Sequence, residues 1–275
     1  MTAPGRLVVV GTPIGNLADL SPRGRDALAA ADVIACEDTR RTGRLLAAAG
    51  IGRRDLVVAN DHTEARVARE LVARARAGAV VALVTDAGMP GVSDPGDDVV
   101  SAFVAADLAV EVVPGPTAAT TALAGSGLPT GRFAFEGFLP RKGSGRSERL
   151  AAVAAELRTV VLYEAPHRAA RTIADLIEAC GGGRAVAIGR ELTKLHEEWF
   201  RGDLDGAAAW LAEEPKGEFV IVLGGAEPPA EASDDDLRAA LDEELAAGAT
   251  TRDAVAAVVE RFGVAKRRVY DLAIS

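Results

Sequence analysis

The stretch AVVALVTDAGMPGVSDPG, residues 79–96, decides the fold. Its first part is a continuous apolar run, which predicts a buried strand over 79–86. Its second part, 84–96, contains three glycines, two prolines and two aspartates. Glycine lets the backbone approach a ligand closely, and proline keeps a loop stiff. The sequence therefore predicts a ligand-binding loop directly after this strand.

The same succession of strand and helix recurs on both sides of this stretch. Apolar runs predict further strands at 6–11, 33–37, 55–60 and 110–115. Start and stop residues predict helices from Ser21-Pro22 to about Ala31, from about Thr39 to Gly50, and from about Glu64 to Ala77. Alternation of this kind predicts a mostly parallel sheet with right-handed crossovers.

Three loops follow strands of this sheet. They are GTPIGN (11–16), the loop at 84–96, and PGPTA (114–118). Because the carboxyl ends of parallel strands meet at one edge of a sheet, we expect the three loops to converge. One glycine-containing loop is weak evidence of a site, whereas three at the same edge predict a pocket.

The first loop matches neither of the familiar phosphate-binding motifs. A Walker loop ends in Gly-Lys-Ser/Thr, and a dinucleotide fingerprint has three glycines at GxGxxG spacing. GTPIGN has neither pattern. The sequence therefore disfavours nucleoside triphosphate hydrolysis and nicotinamide chemistry.

The second half of the chain predicts another α/β domain and a separate tail. Strands are expected at 133–139, 159–165, 185–192 and 218–225, with helices at about 147–157, 167–179 and 204–213. The proline-rich, acidic stretch EPPAEASDDD (227–236) predicts a solvated linker. Helices at 236–246 and 251–262, with a break at Gly263, fit a helix-turn-helix module or, as we prefer, a generic helical hairpin. The predicted domains are 1–115, 116–225 and 226–275.

Composition places the chain among globular proteins. Of its 275 residues, 49% are apolar and 26% charged, enough for a substantial core. No apolar run approaches the roughly 20 residues that span a bilayer, and the amino-terminal segment lacks the features of a signal peptide. Cys36 and Cys180 form no CxxC pair, which argues against a disulfide framework or a zinc site. We therefore expect a cytoplasmic protein that uses no metal and contacts no membrane.

The net charge of −9 is unevenly distributed. Between Glu227 and Glu244, eight acids and one base give −7, which leaves −2 for the rest of the chain. That remainder contains basic groups at positions 40, 41, 44, 53, 54, 141, 142, 146 and 149. Charge runs are usually solvated faces, but local basic patches rather than net charge decide whether phosphate is bound.

Seven motifs in order resemble one known family. They are GTPIGNLADLSPR (11–23), CEDTRRTGRLL (36–46), VTDAGMPGVSDPG (84–96), VVPGPTA (112–118), FEGFLPRK (135–142), YEAPHR (163–168) and GRELTKLHEEWFRG (189–202). Together they resemble the 16S ribosomal RNA (cytidine-2′-O)-methyltransferases, within the tetrapyrrole-methylase-like, class III group of S-adenosylmethionine enzymes. The resemblance covers about residues 6–225, with a weaker match at KRRVYDLAI (266–274).

The resemblance implies an α/β fold with two domains of the tetrapyrrole-methylase type, a cofactor cleft between them and a small helical tail. It implies a homodimer that uses S-adenosylmethionine to methylate a cytidine ribose in the decoding centre of 16S rRNA, within the small ribosomal subunit. The residues expected to hold the cofactor are Thr12, Pro13, Asp86, Ala87, Gly88, Val92, Thr117, Ala118, Tyr163 and Leu192.

The chemistry of the loops is compatible with this cofactor. S-adenosylmethionine has no phosphate chain, so a pocket of backbone amides with few cations suits it. Its sulfonium activates the methyl group, so the protein has mainly to orient the acceptor hydroxyl. Some group must also take the hydroxyl proton or stabilise the charge that develops on the oxygen.

Candidates for that role follow strands of the first sheet or belong to the motif at 189–202. They are Glu37, Asp38, Arg40, Asp61, His62, Glu191 and Lys194. We expect the Glu37–Arg40 and Arg190–Lys194 groups to face the ribose, without choosing the proton acceptor. For Asp38 itself, we prefer the interpretation that it caps the helix that begins at Thr39.

Two other functions compete with RNA methylation. A tetrapyrrole methylase would share the cofactor pocket, but its acceptor needs a broad apolar cavity rather than spread-out basic residues. A ligand sensor with a DNA-binding tail is disfavoured because the tail has few bases. The residues expected to bind RNA are Arg41, Arg44, Arg141, Lys142 and Arg146.

Overall fold

The computed structural model describes residues 5–211, 216–228 and 232–274. They form two compact units, Met1–Ala226 and Glu227–Ser275. Two α/β lobes make up the first unit and helices make up the second. The expected fold class is confirmed.

The first lobe is built on a parallel sheet of five strands in the part of the chain described. The strand order is β3-β2-β4-β1-β5, and every neighbouring pair is parallel. β4, β1 and β5 are adjacent and parallel, so the loops that follow them all begin at the same edge of the sheet, where the carboxyl ends of the strands lie. The strands are β1 (Arg6–Val10), β2 (Val33–Cys36), β3 (Asp55–Val58), β4 (Val80–Leu83) and β5 (Ala109–Val113).

Helices cover both faces of this sheet. Alternate residues of β1 point to opposite faces: Leu7 packs with the buried stripe of α3, and Val8 packs with α1 and α2. The first helix begins as expected, since the Ser21 hydroxyl accepts the Gly24 N–H at 3.0 Å and Pro22 is its first residue. The helices are α1 (Pro22–Ala30), α2 (Thr39–Ala48), α3 (Glu64–Arg76) and α4 (Asp97–Ala105).

The second lobe contains a mixed sheet. Its order is β6-β7-β10-β8-β9; β6 and β7 are parallel, and the other neighbours are antiparallel. The strands are β6 (Phe133–Phe138), β7 (Thr159–Glu164), β8 (Ala185–Arg190), β9 (Glu198–Asp203) and β10 (Phe219–Leu223). β9 was not predicted from the sequence. It is an edge strand with charged residues at both ends, so it lacks the apolar run that identified the others.

Four helices complete the second lobe. The sixth helix begins at Ser144, three residues before the expected start at about 147. It directly follows Gly143, which has a φ of +83°. The expected helix at 204–213 is helical to Trp210, and 212–215 lie outside the described residues. The helices are α5 (Ala118–Gly125), α6 (Ser144–Ala155), α7 (Pro166–Cys180) and α8 (Leu204–Trp210).

The carboxy-terminal unit consists of α9 (Asp234–Ala246), α10 (Thr251–Phe262) and α11 (Lys266–Ala273). Gly263, with φ of +65°, ends α10 as expected. The three helices enclose a core of their own that includes Leu237, Val255 and Val269. Part of the expected acidic linker, 229–231, lies outside the described residues.

Among the residues described, no helix is long and apolar enough to cross a membrane. Both cysteines are free thiols; Cys36 is buried and Cys180 is half-buried.

Candidate functional site

The three loops after β1, β4 and β5 meet at the edge of the first sheet. The Thr12 N–H donates to the Gly88 carbonyl at 2.8 Å, and the Gly88 N–H donates to the Thr12 carbonyl at 3.1 Å. Gly11 packs so closely against Gly115 that a Cβ at Gly11 would lie 2.6 Å from the Gly115 Cα. Glycine is therefore required where the first and third loops touch.

A cavity of about 430 Å³, here called the site cavity, opens between this edge and the second sheet. Its apolar wall belongs to a cluster in which Ile14 of the first loop packs with Leu192 and Val220 of the second lobe. The lining includes eight of the ten residues expected to hold the cofactor, namely Asp86, Ala87, Gly88, Val92, Thr117, Ala118, Tyr163 and Leu192. The other two, Thr12 and Pro13, line an adjoining hollow of about 330 Å³.

Asp86 has one carboxylate oxygen engaged and one without a partner. Its Oδ2 lies 3.3 Å from Nη1 of Arg41, whereas its Oδ1 is buried and accepts no hydrogen bond from the residues that the structure describes. Burial raises the pKa of Asp86 above its ordinary value, and the charge of Arg41 opposes that rise. A buried acceptor without a donor costs free energy, so this oxygen is suited to a donor group on a ligand in the site cavity.

Tyr163 forms part of the second-lobe wall. Its hydroxyl accepts the Ala119 N–H at 3.1 Å, and the rings of Phe135 and Phe138 pack edge-on at 5.0 and 5.6 Å. Burial raises the pKa of Tyr163 above its ordinary value, so the phenol is neutral. The ring is thus a fixed, uncharged surface. On the opposite loop, the Thr117 hydroxyl caps α5 by accepting the Thr120 N–H at 3.2 Å.

A strained turn after β8 closes the site cavity against the first loop. Glu191 and Thr193 have positive φ values of +50° and +65°, which side chains other than glycine rarely adopt. Between them, Leu192 is only 5% exposed. The Asn16 N–H donates to the Thr193 hydroxyl at 3.1 Å, and a Cβ at Gly15 would lie 2.7 Å from that hydroxyl. The turn therefore joins the two lobes beside the site.

The Glu37–Arg40 group is divided by the structure. Glu37 lines the site cavity, where burial and then the charge of Asp86 raise its pKa above the ordinary value. Asp38 caps α2, accepting the Arg40 N–H at 2.7 Å and pairing with the Arg40 guanidinium at 3.0 Å. These hydrogen bonds lower the pKa of Asp38 to about 2. Asp38 and Arg40 thus bind each other and are absent from the described linings of the site cavity and the adjoining hollow. That they face the ribose stays a prediction.

The Arg190–Lys194 group is divided as well. Lys194 lines the adjoining hollow and donates to Glu191 at 2.8 Å and to Glu218 at 2.9 Å. Although burial alone would raise the pKa of Glu191, the hydrogen bonds from Lys194 and the Glu218 N–H lower it. Glu191 is absent from the described lining of the site cavity, and Arg190 is bound to the Lys216 carbonyl. The earlier candidates Asp61 and His62 are exposed and lie outside that lining.

The residues expected to contact RNA fall into three groups. Arg41, with its side chain 59% exposed, and Arg44 line the adjoining hollow. Arg141 and Lys142 are exposed just before α6. The prediction that Arg146 binds RNA is wrong. Arg146 is only 4% exposed, and its guanidinium donates to Asp175, Thr172 and the Pro140 carbonyl. It holds the second lobe together and is not available to phosphate.

The structure also brings residues to the site cavity that the sequence did not single out. Asp94 and Glu218 line it, as do Ser93 and Phe138. Burial, followed by the charges of Glu37 and Asp86, raises the pKa of Asp94 to about 7. Its position inside the 84–96 loop is the one sequence feature that could have indicated it. Within the described residues, no three His, Cys, Asp or Glu side chains are grouped so that they could hold a metal ion.

Comparison with known proteins identifies the family. The family model of tetrapyrrole (corrin/porphyrin) methylases matches residues 6–208. Ribosomal RNA small subunit methyltransferase I of Synechocystis sp. is 43% identical over 273 residues, covering 98% of each chain. The protein of that name from Mycobacterium tuberculosis is 46% identical over 269 residues, covering 97% of this chain and 94% of its own.

A solved structure shares the fold. The uroporphyrin-III C-methyltransferase of Thermus thermophilus, complexed with S-adenosylhomocysteine, has a TM-score of 0.57 and 23% identity, covering 80% of this chain and 97% of its own. The family resemblance of the sequence motifs is thereby confirmed. The chain belongs to the tetrapyrrole (corrin/porphyrin) methylase family and, within it, to the ribosomal RNA small subunit methyltransferase I group.

Proposed function

We propose that this protein is an S-adenosylmethionine-dependent methyltransferase that modifies the ribose 2′-hydroxyl of a cytidine in the decoding centre of 16S rRNA. The observation that carries the proposal is the site cavity, an apolar-walled space edged by carboxylates, with exposed arginines at its side. Relatives named ribosomal RNA small subunit methyltransferase I, 41–46% identical over nearly the whole chain, support the same substrate class.

The residues of the site cavity fit S-adenosylmethionine. The volume of the site cavity, about 430 Å³, lies in the range of small-molecule sites. Ile14 and Leu192 offer an apolar slot for an adenine ring, and the unpartnered Oδ1 of Asp86 offers an acceptor for a ribose hydroxyl or an ammonium group. We propose that these residues, with Thr12, Pro13 and the rest of the expected set, hold the cofactor.

When bound, S-adenosylmethionine supplies an electrophilic methyl group, so the protein's own task is orientation and proton removal. The locked loops keep the backbone donors and acceptors fixed, and Tyr163 and Leu192 exclude water from one side. Holding an acceptor oxygen in line with the methyl group supplies a large part of the rate acceleration.

The basic residues near the site favour RNA over a tetrapyrrole as the acceptor. Arg41 and Arg44 line the hollow that adjoins the site cavity, and Arg141 and Lys142 add exposed charge in the second lobe. A tetrapyrrole acceptor would need a broad apolar surface, whereas RNA needs separated cations for successive phosphates. We propose that these four residues contact the rRNA backbone, and that the enzyme works as a homodimer on the small subunit in the cytoplasm.

The direct test uses purified protein, methyl-labelled S-adenosylmethionine and three acceptors. These are 30S subunits assembled on unmodified 16S transcript, the naked transcript, and a porphyrinoid precursor. We expect label on RNA only, at a cytidine whose 3′ phosphodiester then resists alkaline hydrolysis. The matched control is a 30S subunit in which every cytidine of the decoding centre already carries a 2′-O-methyl group. It should accept no label. Transfer to the porphyrinoid alone would reject the proposal.

A further inference from the structure

Asp94 is the carboxylate in the site cavity that has no structural role. We propose that it is the catalytic base, accepting the proton of the ribose 2′-hydroxyl while the methyl group is transferred. This inference rests on the proposed function, and it gives a role to a residue of the 84–96 motif that the sequence analysis had not singled out.

The loop that carries Asp94 is locked in place. Inside it, the Gly91 N–H donates to the Pro95 carbonyl at 3.1 Å and the Val92 N–H donates to the Met89 carbonyl at 3.2 Å. Ser93 adopts a φ of +61°, a backbone conformation that costs free energy in residues other than glycine. The loop therefore fixes the direction in which the next side chain, Asp94, points.

The second lobe supports the same turn. Gly137 has a φ of +59° at a bulge in β6, and a Cβ there would lie 2.9 Å from the Ser93 hydroxyl oxygen. The turn of the first lobe thus lies against β6 of the second at Ser93, and both Ser93 and Asp94 line the site cavity. A base held by two lobes is positioned for an acceptor that enters between them.

The other carboxylates of the cavity are engaged in structure. Glu164 accepts hydrogen bonds from the Ala165 N–H and the Thr172 hydroxyl and pairs with Arg168. Glu218 pairs with Lys194 at 2.9 Å. Each of these groups would have to break a charge-assisted contact before it could take up a proton.

Three carboxylates remain, and their partners distinguish them. Asp86 pairs with Arg41. Burial and then the charge of Asp86 raise the pKa of Glu37, but this carboxylate accepts the Asp86 N–H, and that hydrogen bond and the charge of Arg41 oppose the rise. The carboxylate of Asp94 has no hydrogen bond or ion pair with any residue in 5–211, 216–228 or 232–274. It is the one that is free to bind a new proton.

The surroundings of Asp94 also give it a suitable basicity. Burial and the negative charges of Glu37, Asp86, Asp61 and Glu218 raise its pKa to about 7. Tyr163 is neutral, Arg41 of the site cavity is paired with Asp86, and Lys194 of the adjoining hollow is paired with Glu218. A general base is most effective when its pKa lies near the working pH.

The step balances with groups already present. The 2′-oxygen forms a bond to the methyl carbon as the carbon–sulfur bond breaks and its electron pair stays on sulfur. The oxygen–hydrogen bond breaks in the same event, its electron pair remaining on oxygen, and the proton passes to Asp94. No oxidant, reductant or further reactant is needed.

The test compares Asp94→Asn with the wild type in single-turnover methylation of unmodified 30S subunits between pH 5.5 and 9. For the wild type, we expect a rate that rises about tenfold per pH unit below 7 and levels off above it. For Asp94→Asn, we expect a loss of about 100-fold or more at pH 8 and no inflection near 7. Calorimetric affinity for S-adenosylmethionine should stay within about fivefold, the contribution of one partly solvated charge.

Thermal unfolding separates catalysis from a structural role. The pKa of Asp94 is higher in the folded protein, about 7, than its ordinary value of 3.8, so the folded state loses stability as pH rises from about 4 to about 7. Asp94→Asn removes that loss and should melt at a higher temperature than the wild type at pH 8. A residue with a purely structural role would instead lower the melting temperature together with the rate.

Two further variants complete the design. Asp98→Asn removes an exposed carboxylate from the adjacent helix and should keep the wild-type rate and pH profile. Glu37→Gln tests the competing base. If Glu37→Gln abolishes the inflection near pH 7 while Asp94→Asn keeps it, the inference about Asp94 is overturned and the proposed function stands. If the wild type transfers no methyl group to RNA, both fall together.

Discussion

At the scale of single residues, Asp86 is the most direct link between local structure and ligand binding. Its buried Oδ1 has no hydrogen-bond partner in the described part of the chain, while its Oδ2 is held by Arg41. A hydrogen bond to a charged acceptor contributes about 1.5–3 kcal/mol, so Asp86→Asn should weaken S-adenosylmethionine binding by about 10- to 150-fold. Isothermal titration calorimetry measures this directly.

The same variant should not be less stable. Asp86→Asn keeps the volume of the side chain and removes a carboxylate whose pKa burial raises, so the melting temperature should be unchanged or higher at pH 8. Asp38→Ala is the matched control, because Asp38 caps a helix outside the site cavity. It should lower the melting temperature and keep the affinity. Unchanged affinity in Asp86→Asn would contradict the proposed position of the cofactor.

Some site residues were predictable from sequence and others were not, for a physical reason. The loops containing Asp86 and Thr117 were predictable because strand ends and glycine-rich turns are local properties of the chain. Asp94 was in the same loop but was not singled out, since its importance depends on the φ of Ser93 and on carboxylates distant in sequence. The capping of α2 by Asp38 depends on a partner only two residues away, which made it foreseeable from the sequence.

At the scale of elements, the sequence did not indicate that one charged side chain of α6, that of Arg146, is buried. Arg146 belongs to a run of bases, RKGSGR (141–146), and so was grouped with surface residues. In the structure it connects α6 to Asp175 and Thr172 on α7 and to the chain leaving β6. Helical periodicity could not separate it from Lys142, because α6 begins between the two residues.

This placement predicts different effects for two neighbouring bases. Arg146→Ala leaves Asp175 and Thr172 without their partner inside the second lobe, and should cost about 3–5 kcal/mol of unfolding free energy. Lys142→Ala should change that free energy by less than about 0.5 kcal/mol. Urea unfolding measures both.

For RNA binding, we expect the larger effect from Lys142→Ala and the smaller effect from Arg146→Ala. If Lys142 contacts a phosphate, its loss should weaken 30S binding and reduce the salt dependence of the affinity by about one unit of slope. Arg146→Ala, measured where it is still folded, should keep the wild-type slope. A destabilised Lys142→Ala with a stable Arg146→Ala would contradict the assignment of both residues.

The elements themselves were foreseen where a segment carries its own pattern. The five strands of the first sheet are apolar runs, and α1 has both a serine cap and a proline at its first position. β9 was missed because an edge strand, paired on one side only with β8, needs no apolar alternation. The strand order of the second sheet, with β10 between β7 and β8, depends on packing that no single segment encodes.

At the scale of the whole molecule, the two compact units have separate cores. The clusters that fill the two lobes draw their buried residues from 7–223, whereas the core of α9, α10 and α11 draws on Leu237 to Val269. Every described residue that lines the site cavity belongs to the first unit. The first unit therefore contains the proposed cofactor site in full.

A chain ending at Glu227 is thus predicted to fold and to bind S-adenosylmethionine with the affinity of the full protein. Ending there keeps the Ala226 N–H, which donates to the Glu156 carbonyl at 2.7 Å. The removed segment, 228–275, contains ten acidic and six basic residues, a net charge of −4, so its loss removes repulsion toward phosphate. Affinity for 30S subunits should therefore be equal or higher at low salt, and the difference should shrink as salt screens the charges.

Calorimetry, thermal unfolding and 30S binding at two salt concentrations test these expectations on one preparation. The matched control is the full chain with Asp234, Asp235 and Asp242 changed to Asn, which reduces the negative charge and keeps the helices. If both forms bind 30S more tightly, the tail acts through its charge. If the shortened chain loses cooperative unfolding or cofactor binding, the two units depend on each other. The separation inferred from their cores is then wrong, because a unit with a complete core and a complete site should retain both properties.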